Sequence, residues 1–202
     1  SCTFKVKTPG KRFDDGKHIE NERVAKEVSD EGIVLLENDG VLPLAKDTSV
    51  MLLGEYLDFR ISAFGASLIK PRWTLSILEA IKKSGALQID ENAQLAIYFI
   101  SRGSGENRDN KPIKGDYYLT DSEKEELQNA IQKYEKVILI LNTGYPIEME
   151  FIKSLGFSAI IWTGFSGQRG SESLIDILTG KVNPSGRLAD TWSFDYYDHP
   201  SS

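Results

Sequence analysis

The chain has 202 residues with 24 basic and 30 acidic side chains, which gives a formal net charge of −6 at pH 7. Because nucleic acids and anionic membranes repel an acidic surface, we expect neither as a main partner. No run approaches the roughly 18 apolar residues of a membrane span, and a single cysteine cannot form an intrachain disulfide. With one cysteine and two histidines, we also expect no metal site and no cofactor.

Residues 1–18 predict an arm or linker rather than part of a folded core. They are polar, rich in Lys, Gly and Asp, and include the turn signal Pro9-Gly10. They lack the apolar segment of a signal peptide, which favours a cytoplasmic location. Residues 19–31 carry apolar side chains at helical spacing, and we place one domain over residues 19–202.

From Val50 onward, predicted strands and helices alternate. Short apolar runs predict strands at 50–54, 95–101, 137–141 and 159–162. Helical spacing and cap signals predict helices near 73–83, after the capping box Thr120–Glu123, at 147–154 and at 169–179. Because these strands are apolar throughout rather than alternating, they indicate a mostly parallel sheet sandwiched between helices, a flavodoxin-like α/β sandwich.

The candidate ligand site lies in the loops that follow the strands, because ligands of such sheets bind outside the carboxyl ends of the strands. The loop at 99–110, FISRGSGENRDN, places Glu106 directly after the pair Gly103 and Gly105. A phosphate cradle would need a third glycine and an immediate helix. The carboxylates of Glu106 and Asp109 would also repel a phosphate, so nucleotide binding is disfavoured.

Two other kinds of catalytic residue can be weighed from the sequence. Ser166 follows a predicted strand as the serine of a nucleophile elbow would, but Gln168 stands where that motif needs glycine. A glycine-rich turn explains this segment better. Glu106 has the position of a general acid, on a loop at the ligand edge. From position alone, however, a loop glutamate is more often a solvated charge.

Five stretches of the sequence, in this order, resemble one family. They are VLLENDGVLPL at 34–44, PRWTLSILE at 71–79, SRGSGE at 101–106, KGDYYL at 114–119 and GKVNPSGRLADTW at 180–192. From about residue 20 to 198, the chain looks like the α/β-sandwich domain of glycoside hydrolase family 3, especially of its bacterial β-glucosidases. The first and last of these stretches are the most specific.

The resemblance implies a role in hydrolysing O-glycosyl bonds. In that family the sandwich domain follows a (β/α)₈ barrel that carries an aspartate nucleophile, and the glutamate of the S-G-E loop, here Glu106, is the acid/base of a retaining mechanism. Ser67, Arg102, Ser104 and Asp109 are expected to contact the substrate, an oligo- or aryl-β-glycoside, and Arg102 and Asp109 also to orient Glu106. The partner is a barrel domain or subunit, and the chain alone is expected to be inactive or nearly so.

The sequence also departs from the family pattern. A barrel needs about 250 residues, so it does not fit within these 202. The usual loop is S-G-E-G-x-D-R, whereas Asn107 and Asn110 replace its second glycine and its arginine, and the 64–69 loop contains Phe64, Leu68 and Ile69. These changes support the alternative of a non-catalytic sandwich domain that packs against a barrel or binds carbohydrate.

Two further expectations concern regulation and assembly. A receiver-like regulator would fit the alternation of strands and helices, but near the end of the first strand only Glu55 and Asp58 are acidic, and no phosphoacceptor is evident. A surface left uncovered by a barrel would expose apolar side chains and promote self-association, so a homo-oligomer is an expected form of the isolated chain.

Overall fold

The computed structural model of the chain describes residues 15–59, 63–64, 71–105 and 109–198. Its helices are α1 (Asp15–Gly32), α2 (Ile77–Ser84), α3 (Asp121–Lys133), α4 (Met149–Ser154) and α5 (Gly170–Leu178). Its strands are β1 (Val34–Asn38), β2 (Thr48–Gly54), β3 (Ala63–Phe64), β4 (Leu87–Ile89), β5 (Leu95–Arg102), β6 (Ser104–Gly105), β7 (Lys136–Thr143) and β8 (Ala159–Trp162). The four strands predicted from apolar runs correspond to β2, β5, β7 and β8.

The main sheet has six strands in the order β1-β8-β7-β5-β2-β4. All neighbouring pairs are parallel except β1 and β8, which run antiparallel at one edge. Without β1, the strands follow the 2-1-3-4-5 order of flavodoxin-type sheets. β3 and β6 form a separate two-stranded parallel ribbon. The predicted class, a mostly parallel sheet between helices, is therefore confirmed.

Both faces of β5, β7 and β8 are buried, which explains why these strands are almost continuously apolar. On β5, Ile97 and Phe99 belong to a core that includes residues of α2 and α5. Tyr98 and Ile100 point to the opposite face, where they join residues of α3 and α4. Because successive side chains of a strand alternate between faces, a strand covered on both sides needs apolar residues at odd and even positions alike.

Helix boundaries follow the capping residues rather than the apolar spacing. The helix predicted near 73–83 begins at Ile77, because the hydroxyl of Ser76 accepts the Glu79 N–H (3.2 Å) and the Glu79 carboxylate accepts the Ser76 N–H (2.8 Å). The box predicted at Thr120 and Glu123 forms the same two bonds at 3.2 and 2.7 Å. α1 begins at Asp15, inside the predicted arm, whose first 14 residues lie outside the described part of the chain.

The backbone of the NPSGRL segment, residues 183–188, packs closely against the backbone of Gly32 and Ile33. A Cβ atom on Gly186 would lie 2.4 Å from the carbonyl oxygen of Ile33 and 2.7 Å from that of Gly32, at the junction of α1 and β1. No real Cβ can approach a carbonyl oxygen so closely. The glycine of this family motif is therefore required by space at this junction.

We expect Gly186→Ala to lower the free energy of unfolding by about 1–3 kcal/mol, and by a value nearer 3 than 1, because the backbone must move to admit the methyl group. Urea unfolding followed by circular dichroism measures the change. Gly32→Ala is the matched control, since its Cβ would meet nothing within 4 Å; it should alter stability by less than about 1 kcal/mol. Equal stability of the two variants would contradict the packing argument.

A partly buried carboxylate ties the start of α5 to α2. Glu172 accepts two hydrogen bonds from Arg169, at 2.5 and 2.9 Å, and one from Lys83 at 2.8 Å. The bonds from Arg169, helped by Lys83 and opposed by burial, lower the pKa of Glu172 to about 2. A carboxylate whose pKa is lower in the folded chain stabilises the fold above its unfolded pKa, near 4.5, and loses that contribution as the pH falls toward 2.

Between pH 4.5 and pH 2, Glu172 should therefore account for a loss of about 1–2 kcal/mol of unfolding free energy, after allowance for solvent screening. Urea unfolding over a pH series measures this loss. Glu172→Gln should remove that part of the acid sensitivity, whereas Glu150→Gln, a change at an exposed residue of α4, should preserve it. A Glu172→Gln chain with the acid sensitivity of the parent would contradict the assignment.

Candidate active site

The candidate site lies at the carboxyl edge of the sheet, between β2 and β5. The helix that follows β2 covers one face of the sheet, and the helix that follows β5 covers the other. Such a reversal opens a crevice at which ligands of open α/β sheets bind. A cleft of about 570 Å³ occupies this position, and Glu55, Tyr98, Arg102 and Glu126 are among its lining residues.

Arg102, the last residue of β5, is buried at the point where the candidate loop, residues 103–110, begins. Its side chain is 7% exposed, and Nη2 lies 2.6 Å from Oε1 of Glu123 in α3. That pair is electrostatic, since Nη2 makes no well-directed hydrogen bond. Nε donates to the carbonyl oxygen of Asp116 at 3.3 Å, and Glu55 approaches Nη1 at 3.9 Å. The guanidinium thus joins the strand before the loop to the segment after it.

Asp116 forms a second connection beside Arg102, and sequence reasoning gave it no role. Its carboxylate is buried and accepts hydrogen bonds from the hydroxyl of Tyr145 (2.6 Å) and the N–H of Lys111 (3.2 Å). The Tyr145 hydroxyl also lies 3.5 Å from the carbonyl oxygen of Gly103. Asp116 belongs to the KGDYYL stretch, and Tyr145 lies two residues after the end of β7, so the family motif for the first and the strand end for the second were the available signals.

Asn110, which stands where the family pattern has arginine, anchors the end of the loop. Its Nδ2 donates to the carbonyl oxygen of Pro146 at 3.1 Å. Its own carbonyl oxygen accepts a hydrogen bond from the hydroxyl of Tyr196 at 3.2 Å. The side-chain amide therefore fastens the outgoing segment to the chain after β7, without a cation.

The start of the loop is held by two neighbouring loops. Ser104 and Gly105 form β6, which pairs with Ala63 and Phe64 of β3. Gly144, an exposed residue just after β7, lies beside Ser104. A Cβ on Gly144 would be 2.9 Å from the Ser104 hydroxyl and 2.4 Å from the ring of Phe165, which follows β8. The loops after β5, β7 and β8 thus meet at one point.

A row of polar side chains, two buried and one half-buried, crosses the same edge. Asn142 Nδ2 donates to the hydroxyl of Ser101 at 3.3 Å, and the hydroxyl of Thr163 lies 3.5 Å from Asn142 Oδ1. These three residues stand at the ends of adjacent strands β5, β7 and β8. Burial and the hydrogen bond to Glu126 raise the pKa of Tyr98, which therefore stays protonated in the cleft.

The predicted site residues are distributed as follows. Arg102 and Ser104 lie together at the carboxyl edge, with Arg102 in contact with protein groups. Asp109 is exposed on the segment that leaves the loop. Glu106 and Ser67 lie outside the described residues, as do residues 65–70 of the apolar loop. Within the described ranges, no three His, Cys, Asp or Glu side chains are grouped to hold a metal ion, and no helix is long and apolar enough to cross a membrane.

Known proteins resemble the chain over most of its length. The model of the glycosyl hydrolase family 3 C-terminal domain matches residues 33–201. A β-glucosidase of Ruminococcus albus is 29% identical in an alignment 221 residues long, which covers 88% of this chain and 23% of the relative. A probable β-D-xylosidase 6 of Arabidopsis thaliana is 28% identical over 200 residues, covering 86% of this chain and 25% of the relative.

Solved structures agree with this relation. The β-glucosidase 3B of Thermotoga neapolitana, in complex with glucose, superposes with a TM-score of 0.86 and 31% identity, covering 91% of this chain and 32% of that one. The chain thus spans about a quarter to a third of the length of these relatives. The extent of the family match, together with the shared fold, establishes that the chain belongs to the glycosyl hydrolase family 3 C-terminal domain family.

Proposed function

We propose that the chain is the acid/base-carrying domain or subunit of a retaining β-glucosidase-type hydrolase. The observation that carries the proposal is the double anchoring of the S-G-E loop. Arg102 fixes its start at the crevice edge, and Asn110 fixes its end. Glu106 sits between these anchors in the sequence. A loop held at both ends at a ligand crevice suits a group that must be placed accurately, as a general acid must be.

The mechanism needs two carboxyl groups about 5–5.5 Å apart. In the first step, Glu106 protonates the departing glycosidic oxygen while an aspartate of a (β/α)₈ barrel attacks the anomeric carbon. In the second, Glu106 takes a proton from water, whose oxygen attacks the anomeric carbon and releases the aspartate. The barrel would occupy the part of the relatives' length that this chain does not span.

The remaining predicted contacts have separate roles under this proposal. Ser67 and the loop around 62–70 wall the sugar subsite. Ser104 and Asp109 are proposed to contact the substrate from either side of Glu106, and Arg102 to act through the backbone before and after it. The expected substrates are oligo- or aryl-β-glucosides, in keeping with the β-glucosidases of Ruminococcus and Thermotoga that the chain resembles.

The direct test combines this chain with its barrel domain and measures hydrolysis of an aryl β-glucoside. We expect turnover only when both parts are present, because neither carboxylate alone completes the retaining pathway. In the combined enzyme, Glu106→Ala should abolish most of the rate. An unchanged rate would instead favour the alternative of a non-catalytic domain for packing or carbohydrate binding.

A further inference from the structure

The loop after β7 touches both ends of the candidate loop through two consecutive residues. Gly144 lies next to the side chain of Ser104, at the start of the candidate loop. Tyr145 reaches Asp116, beyond its end, with a hydrogen bond of 2.6 Å, and approaches the carbonyl oxygen of Gly103 at 3.5 Å. The dipeptide Gly144-Tyr145 is therefore in contact with the chain both before and after Glu106.

At Gly144, neighbouring side chains rather than backbone conformation restrict a larger residue. Its φ lies outside the left-handed region, but a Cβ would come within 2.4 Å and 2.6 Å of two ring atoms of Phe165. The ring is partly buried and lies directly over the glycine. A methyl group at position 144 would push Phe165, Ser104 or both away from the strand ends.

Ser104 precedes Glu106 by two residues, so under the proposed function a shift of Ser104 disturbs the segment that leads to the acid. Ser104 and Gly105 are extended and paired with β3, and two residues of strand span only about 7 Å. Misplacement of a catalytic group by 1 Å can cost up to about 10²-fold in rate. Added bulk at position 144 is therefore expected to disturb the start of the loop, even though Gly144 itself is exposed.

Tyr145 supports the other side. The buried carboxylate of Asp116 loses a close donor if the hydroxyl is removed, and the carbonyl oxygen of the same residue accepts the Nε–H of Arg102. A shift of Asp116 would therefore also move the carbonyl oxygen that holds the buried guanidinium of Arg102. The two supports act on the same loop from opposite ends.

We propose that the Gly144-Tyr145 step is a positioning element that sets Glu106 against the glycosidic oxygen. This inference rests on the proposed function. Neither residue is required to touch the substrate; both act through the loop backbone. The consequence for kcat/KM, which reports the first step, is specific, because that step needs the acid only when the leaving group must be protonated.

The test uses the enzyme formed with the barrel domain and two substrates. Methyl β-glucoside has a poor leaving group that needs protonation, whereas a dinitrophenyl β-glucoside has a good one that does not. We expect Gly144→Ala and Tyr145→Phe each to lower kcat/KM for the methyl glucoside by about tenfold or more and for the dinitrophenyl glucoside by less than about threefold. Gly32→Ala, whose added methyl group meets nothing, should change neither.

A merely structural role would lower both rates together, by reducing the fraction of folded enzyme, and that result would overturn the proposal, as would no change in either rate. Adding Phe165→Leu to Gly144→Ala removes the obstructing ring atoms and should restore part of the lost rate on the methyl glucoside. If Gly144→Ala does not fold, Tyr145→Phe decides the question.

Glu106→Gln separates the two hypotheses. If it discriminates between the substrates but the Gly144 and Tyr145 variants do not, Glu106 is the acid and the positioning role alone fails. If Glu106→Gln affects both substrates equally or not at all, the proposed function fails, and the positioning element with it.

Discussion

Replacing Glu106 by alanine is expected to slow hydrolysis of an aryl β-glucoside by about 10²–10⁴-fold in the enzyme formed with the barrel domain. The physical reason is that both steps move a proton at this position, first to the departing oxygen and then from water. Because the acid must be protonated in the first step, the fall in kcat/KM toward high pH should also flatten in this variant. Initial rates measured across a pH series check both effects.

Azide gives the decisive control for Glu106. Removing the carboxylate leaves space beside the anomeric carbon, where a small anion can attack the glycosyl-enzyme without a general base. With a dinitrophenyl β-glucoside, whose leaving group needs no proton in the first step, azide should therefore restore turnover of Glu106→Ala and yield a glycosyl azide. Glu125→Ala, a change at an exposed glutamate of α3, should keep the parent rate without azide. A Glu106→Ala enzyme with normal turnover would leave the family fold in place but remove the proposed chemistry.

Replacing Arg102 by methionine is expected to lower the free energy of unfolding of the chain by about 3–5 kcal/mol. The guanidinium is 7% exposed, and Glu123, its partner at 2.6 Å, is 18% exposed. Removing one member of such a pair leaves a poorly solvated charge behind, and here that charge also belongs to the capping box of α3. Urea unfolding measures the loss, and an unchanged slope with denaturant would show that the transition remains the same.

A second ion pair in the same helix turn is the matched control for Arg102. Lys114 contacts Asp121, the first residue of α3, at 2.7 Å, but both side chains are largely exposed. Lys114→Met should have little effect, because water screens exposed pairs. In Arg102→Met/Glu123→Gln, the charge left behind is neutralised, and part of the lost stability should return. If Arg102→Met were as stable as Lys114→Met, the buried pair would have no structural role.

The sequence by itself determined the central strands, the helices that follow them and the family. Continuous apolar runs indicate strands covered on both faces, and β8 covers the residues predicted, 159–162. The box at Thr120 depends on residues three positions apart, so it can be recognised locally, and it forms as predicted. β4 was missed because a strand of three residues is too short to show a recognisable pattern. The antiparallel direction of β1 could not be predicted because it depends on pairing with β8, in which Val34 lies opposite Trp162. The motif order identified the family before any contact was known.

Only the tertiary structure decided how the candidate loop is held. Tyr145 and Asp116 are 29 residues apart, Arg102 and Glu123 lie on different elements, and Gly144 meets Ser104 and Phe165 from two other loops. No local pattern specifies such contacts, because they depend on the order of the strands in the sheet, which brings β5, β7 and β8 side by side. Local sequence fixes periodicity and caps over a few residues, whereas the surroundings of a site arise from packing between distant segments.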